Sequence, residues 1–276
     1  MMENNWQNFL KNLGEWRGSF TNVSLTGDIL GSVPSILTLE GFEENQLVRF
    51  RLRRFAGGSY DDPPSQDYVQ DYRSVGPQNI FFETGAFSKG PVQFSPFADF
   101  GAEYGFVAGD RRLRFVQLFD KNSALAQLIL IREFRQGSQA QERPPLTLEQ
   151  LWGTWEGKAH QVYADWTPSE TYSTQLVIED LGQNKLQQTL SFAGQTLTST
   201  ALVKGQQLEF TSTPSRHFLM LPDGVSTNTP LKLELRQPFF VELGWLVSPT
   251  ERQRLIRSYD ETGRWIHSTF IIEQKR

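Results

Sequence analysis

Two consecutive antiparallel up-and-down β-barrels, each introduced by a short helix, are the fold this sequence predicts. Three observations lead there. The first is an internal duplication. Gly14-Glu15-Trp16-Arg17-Gly18 recurs 139 residues on as Gly153-Thr154-Trp155-Glu156-Gly157, and the stretch from Phe100 to Val107 recurs at the same spacing from Phe239 to Leu246. The second is that apolar residues keep helical spacing only at the start of each copy and alternate at a period of two thereafter. The third is that glycine-containing turn signals separate those alternating runs, the pattern of a meander that closes on itself.

The opening helices carry Trp6, Phe9, Leu10 and Leu13 in the first copy and Leu148, Leu151 and Trp152 in the second. Thr147-x-x-Gln150 reads as a capping box and Asn4-x-x-Gln7 as a weaker one, while Gly14 and Gly153 stand where helices end. Strands follow at Val48 to Arg53 and Lys185 to Phe192, with turns at Gly57-Gly58, Gly109-Asp110 and Lys204-Gly205. Arg112 to Asp120 faces Arg252 to Asp260 at a spacing of 140, one residue having entered the preceding turn. The polar stretch from Gln136 to Pro145, closed by two prolines, reads as a connector. The expected domains are residues 1–138 and 146–276, joined by a linker at 139–145.

Composition narrows the function. With 27 Lys and Arg against 31 Asp and Glu, the net charge is −4, and no basic excess points to nucleic acid. There is no cysteine, which excludes disulfides, thiolate metal sites and cysteine nucleophiles. The three histidines, His160, His217 and His267, lack metal-site spacing, and no nucleophile elbow, phosphate loop or dinucleotide fingerprint occurs, so neither a metal nor a catalytic residue is assigned. No apolar run reaches the ~18 residues of a membrane span, and the first residues lack the basic and apolar regions of a signal peptide. The expectation is a cytoplasmic protein.

The last hairpin of each copy offers the candidate site. With Gly109-Asp110 as the turn, pleat alternation puts Tyr104 and Phe106 on one face with Phe115, Gln117 and Phe119. In the second copy Leu243 and Trp245 share a face with Leu255, Arg257 and Tyr259. These apolar faces are read as barrel interiors. The opposite face, with Glu103, Arg112 and Arg114 or Glu242, Arg252 and Arg254, is read as an outer surface with cross-strand charge pairs. An arginine among apolar residues needs a partner, so Arg257 would hold a ligand carboxylate, pair with an internal acid, or slip to solvent at a bulge. The aromatic faces serve equally as ordinary core. Arg216 and His217, beside an apolar strand, are added as carboxylate contacts, and Arg49, Arg51 and Arg53 form a basic stripe that is either solvated or docks an acidic partner.

A short helix feeding Gly-x-Trp at the first strand, followed by an all-β meander, resembles the lipocalin-like (calycin) superfamily. The tandem arrangement, with Pro238 to Leu246 followed by Arg252 to Asp260, is similar to an uncharacterised family of cyanobacteria and plastids. That family is in turn similar to the single-barrel bilin lyases that attach open-chain tetrapyrroles to phycobiliproteins. The resemblance implies a non-covalently held bilin or other tetrapyrrole and a phycobiliprotein partner. The resulting expectation is a binding protein for a hydrophobic, carboxylated small molecule, tetrapyrrole or fatty-acid-like, held inside a barrel. One alternative is a lyase or chaperone presenting a chromophore to a partner's thiol. The other is a ligand-free scaffold whose outer faces bind protein. Neither the oligomeric state nor the ligand itself is set by the residues.

Overall fold

Both copies are sheets, and only the second closes. The computed structural model describes residues 2–167, 170–210 and 216–276. After α1 (Met2–Phe9) come β1 (Gly14–Val23), β2 (Ile29–Phe42), β3 (Leu47–Arg54), β4 (Gln66–Tyr72), β5 (Asn79–Phe81), β6 (Phe87–Lys89), β7 (Phe100–Ala108), β8 (Arg111–Phe119) and β9 (Leu125–Arg135). The second copy runs α2 (Leu148–Leu151), β10 (Gly153–Tyr163), β11 (Glu170–Gly182), β12 (Lys185–Phe192), β13 (Gln195–Lys204), β14 (Gln207–Phe210), β15 (Arg216–Leu221), β16 (Val225–Thr229), β17 (Phe239–Ser248), β18 (Glu251–Tyr259) and β19 (Trp265–Lys275). β10 to β19 form a closed antiparallel barrel of neighbouring strands, whereas the first nine form an open, curled sheet ordered β4-β3-β2-β1-β9-β8-β7-β6-β5.

The first sheet stays open because its last two strands before β7 are only three residues long and because α1 takes the place of a neighbouring strand. Asn5 Nδ2 donates to the Asn79 carbonyl at 2.8 Å and its Oδ1 accepts from the Phe81 N–H at 2.7 Å, while Asn8 Nδ2 donates to the Phe81 carbonyl at 2.9 Å. Two amide side chains thus satisfy the free edge of β5, which otherwise presents unpaired backbone groups. Phe9 packs between the two edges, 6.2 Å from Tyr72 and 5.1 Å from Phe81 by ring centroids. Asn5→Ala removes both contacts and is expected to cost about 2 kcal/mol, the scale of leaving buried backbone groups unbonded. Urea unfolding measures it, and a loss below about 0.5 kcal/mol would mean that the edge is not held this way. The helix begins at Met2, so Asn4 lies within it rather than capping it. The second helix has its capping box, with the Thr147 N–H donating to Gln150 Oε1 at 2.9 Å.

Packing groups Met1–Gly90, Ala102–Gln117 and Gln127–Glu142 into one compact unit, and Pro91–Gly101, Leu118–Ala126 and Arg143–Arg276 into another. Inside the second unit the duplication appears as a reciprocal pair of contacts. The Phe94 N–H donates to Gly263 O at 2.7 Å and the Trp265 N–H to Val92 O at 2.9 Å; one repeat away the Leu233 N–H donates to Ser123 O at 2.9 Å and the Leu125 N–H to Leu231 O at 2.8 Å. The stretch expected to be a linker is anchored as well, with the Arg143 N–H donating to Asp223 Oδ1 at 2.7 Å and Arg143 Nη1 to Val247 O at 3.0 Å.

The core assigns the faces. Trp155, Leu176, Leu186, Ala201, Leu208, Phe218 and Leu246 come from strands all round the closed barrel and form one buried cluster, which only the lumen permits. Leu246 pairs with Arg252 and Gly244 with Arg254, so Glu242, Arg252 and Arg254 point into the lumen, and Leu243, Trp245, Leu255, Arg257 and Tyr259 point out of it. The first sheet repeats this arrangement, because Val107, on the same face as Glu103, packs against the buried cluster around Trp16, Leu37 and Leu52. The expected alternation holds, but the two faces lie the other way round from the expectation. Both faces of these hairpins are buried, so apolar character does not mark the inside, and the charged residues enter it by neutralising one another.

Candidate functional site

Two buried charge clusters, one on the Trp16 face of the first sheet and one in the barrel lumen, are copies of each other. In the first sheet Glu133 accepts from Arg112 Nη1 at 3.0 Å, Arg114 Nε at 3.0 Å and Arg114 Nη2 at 2.7 Å, and Arg114 Nη1 reaches Glu103 at 3.1 Å. In the barrel Arg254 Nε donates to Glu242 at 2.6 Å and Arg254 Nη1 to Glu273 at 2.8 Å, with Arg252 3.9 Å from Glu273. Burial pushes the Glu133 and Glu242 carboxyls upward, but the adjacent guanidinium groups outweigh it and hold both below the ordinary range. Below each cluster the tryptophan of the repeated motif donates its Nε1–H to the segment that precedes its strand, Trp16 to Asn12 O in the 3-10 turn after α1 and Trp155 to Leu151 O at the end of α2, both at 2.9 Å.

Above the barrel cluster the lumen changes character. Leu190 and Phe192 on β12 are half-buried although they face inward, and Leu197, paired with Leu190, is 56% exposed, so solvent reaches the inner wall from this end. Tyr172 donates to Gln161 Oε1 at 3.0 Å and Thr269 Oγ1 to the same atom at 3.2 Å. Thr269 Oγ1 also lies 3.3 Å from Nδ1 of His267, whose pKa burial alone pushes down to about 4, leaving it neutral at pH 7. On another strand of the wall, β15, the Arg216 guanidinium stands 5.1 Å from the Phe210 ring and 4.9 Å from the Phe240 ring. Among the described residues it forms no ion pair within 4.0 Å, and burial lowers its pKa against the opposing pull of Glu242. Among the described residues the mouth therefore combines apolar walls, a hydrogen-bonded polar patch and the Arg216 cation.

The residues singled out from sequence do not meet there. Arg257 is wholly buried on the outer wall, where Nε donates to Tyr259 Oη at 2.8 Å, Nη2 to Pro91 O at 3.3 Å, and the Trp265 ring lies 4.0 Å away. Tyr259, Phe119, Phe94, Phe100 and Phe239 form an aromatic cluster, with the Phe239 and Tyr259 rings stacked at 4.7 Å. Trp245 donates to Asp223 O at 3.0 Å; Leu243 and Leu255 are fully buried on the outer face. Tyr104, Phe106, Phe115 and Gln117 are fully buried on the face of the first sheet away from Trp16. His217 alternates to the outside beside Glu209 and Thr229, leaving Arg216 alone of the set in the lumen. The basic stripe is neutralised by β4, through Arg49 to Asp71 at 2.9 Å and Arg51 to Asp67 at 2.6 Å. Sequence reading passed over Gln161, Tyr172, His267 and Thr269, although β10 alternates from Trp155 to Gln161 and the Trp of the motif marks the inside.

Comparison with known proteins follows the duplication. Residues 2–138 match a domain of unknown function, DUF3598, N-terminal, and residues 142–276 match the C-terminal domain of Biogenesis factor required for ATP synthase 1. A crystal structure from Nostoc punctiforme, of a DUF3598 protein with unknown function, is 44% identical, spans 99% of each chain and superposes with a TM-score of 0.93. The chain belongs to the DUF3598 family. Further from this DUF3598 protein lies the S-type phycobiliprotein lyase of Guillardia theta, 9% identical over 46% of this chain and 89% of that one, with a TM-score of 0.38. No curated protein matches the DUF3598 chain significantly. No helix among its described residues is long and apolar enough to cross a membrane.

Proposed function

We propose that the closed barrel binds a hydrophobic small molecule carrying a carboxylate, with its apolar body against Leu190, Phe192 and Leu197 and its anionic end at Arg216. The observation that carries this reading is Arg216 itself: a lumen-facing guanidinium held between two phenyl rings, with no carboxylate at ion-pair distance among the described residues. Open-chain tetrapyrroles and fatty acids both belong to this class, and a tetrapyrrole would bring phycobiliproteins in as partners.

The test is calorimetric titration of the full chain with laurate, biliverdin and uncharged dodecanol. Arg216→Leu should weaken laurate and biliverdin about ten- to a hundredfold, the scale of a lost charge-assisted hydrogen bond of about 1.5–3 kcal/mol, and leave dodecanol within about twofold. Equal losses for laurate and dodecanol would overturn the assignment.

A second reading is favoured by the match of residues 142–276 to the domain of a biogenesis factor required for ATP synthase. On this reading the chain assists assembly of a protein complex. Deleting its gene should then lower the amount of assembled ATP synthase while the subunits are still made, and unchanged assembly would exclude it.

A further inference from the structure

The two copies of the charge cluster differ at the arginine nearest the floor. In the first sheet Arg112 is fully served: Nε donates to Asn12 Oδ1 at 3.0 Å, Nη1 to Glu133 at 3.0 Å, and the Phe87 ring lies 5.9 Å from its guanidinium. The duplication puts Leu151 where the first copy has Asn12, and Ser226 where it has Phe87, both 139 residues on. The counterpart Arg252 has therefore lost an acceptor and a ring together. It is 3% exposed, and neither Nε nor Nη1 has a hydrogen-bond acceptor among the described residues. Gly244 lets Ser226 come close to the guanidinium, since a Cβ there would stand 2.5 Å from Ser226 Oγ and 3.5 Å from Arg252 Nε.

The unmet groups include acceptors as well. Glu273 Oε2 lies 3.9 Å from Arg252 Nη1, too far for a hydrogen bond, and has no donor among the described residues. Thr174 Oγ1 is buried and also has no hydrogen-bond partner among the described residues, and it adjoins Glu273 across Gly157, where a Cβ would approach Thr174 Oγ1 at 2.6 Å and Glu273 Cγ at 2.9 Å. Unsatisfied buried polar groups are expensive and call for a partner. A bare carboxylate would satisfy Arg252 and oppose Glu273. The inventory asks for one group that accepts from a guanidinium and donates to a carboxylate side by side.

The geometry points to a second subsite at the floor of the closed barrel, formed by Arg252, Glu273 and Thr174, that takes a secondary or primary amide, such as a lactam or carboxamide. The amide C=O accepts from Arg252 and its N–H donates to Glu273. This rests on the lumen being the binding site, and it assigns the two ends of the ligand: the carboxylate at the mouth and the amide at the floor.

Small probes separate the two ideas. Isotope-edited NMR titration of the full chain with 2-pyrrolidinone should give saturable shifts at the backbone amides of Arg252 and Glu273. N-methyl-2-pyrrolidinone, which lacks the donor, should bind at least tenfold more weakly. Arg252→Met should abolish the lactam response and leave laurate binding unchanged, and Arg216→Leu should do the reverse. Leu151→Asn and Ser226→Phe, which restore the groups of the first copy, should each weaken the lactam at least fivefold; two variants are used because the first alters a buried helix position. Equal binding of the two lactams, or no saturable response to either, would show that the unmet groups hold an internal water only and overturn the subsite. Laurate binding in the same sample reports separately on the lumen.

Discussion

Glu133→Leu is expected to lower the stability of the protein by about 3–5 kcal/mol, the scale of removing one partner from a buried ion cluster. Glu133 is fully buried and is the acceptor for three of the guanidinium N–H groups of Arg112 and Arg114. Without it the two buried cations keep, among the described residues, hydrogen bonds to Asn12 and Glu103 and contacts with aromatic rings. Glu273→Leu removes the matching carboxylate of the barrel and should cost about half as much. Among the described residues Glu273 makes one hydrogen bond, to Arg254, which keeps Glu242, and Arg252 lies beyond hydrogen-bond distance already. Urea unfolding of the two variants measures the difference, and equal losses would mean that the asymmetry at the floor has no energetic weight.

Glu133 also sets an acid limb of stability. Burial raises the Glu133 pKa, but Arg114 and Arg112 overcome it and the folded value lies below the ordinary one. A depressed carboxyl contributes its full stability above the unfolded value, about 4.3, and loses it as the pH falls through the lower folded value. The stability gap between the parent and Glu133→Gln should therefore be constant from pH 7 to about 5 and narrow below about pH 4. A gap that widens in acid would reverse the sign assigned to Glu133.

Much of this architecture is legible in the residues. The 139-residue repeat, the capping box at Thr147, the strand at Lys185–Phe192 and the turn at Gly109-Asp110 all follow from local spacing and turn chemistry, which tertiary context does not override here. What misleads is a rule applied beyond its range. Apolar residues mark the inside of a barrel only when the outside is solvated. Here the outer wall of β17 and β18 is covered within its unit by Pro91, Phe94 and Phe100, so both faces are buried and the apolar one is the outer. Arg257, conspicuous for standing alone among apolar residues, is held by a backbone carbonyl and a phenol, partners that no spacing reveals. The buried arginine–glutamate clusters are hard to see in the residues for the converse reason. Arg112, Arg114, Arg252 and Arg254 read as surface charge, and only their convergence with glutamates from other strands lets them be buried.

Trp155→Ala is expected to have an effect of similar size, about 3–5 kcal/mol, because it removes a fully buried ring from the core cluster of the barrel and leaves a cavity. Its Nε1–H donates to Leu151 O at 2.9 Å and Lys275 Nζ sits 5.4 Å from the ring, so the indole ties the opening helix to the first and last strands of the barrel. Trp155→Phe keeps most of the buried area and loses the hydrogen bond, which should cost about 1–2 kcal/mol. The two variants together separate packing from anchoring. The substitution also bears on the two ends of the lumen. Arg216 stands at the mouth, on the strand-end opposite Trp155, and laurate affinity should survive Trp155→Ala at temperatures where the variant is folded. Arg252 lies across from Leu246, in the layer of the lumen that the indole closes from below, and the preference for 2-pyrrolidinone over its N-methyl form should fall toward unity once that layer loosens. Loss of laurate binding with the lactam preference intact would invert the polarity of the lumen proposed here, placing the anionic end at the floor and the amide at the mouth.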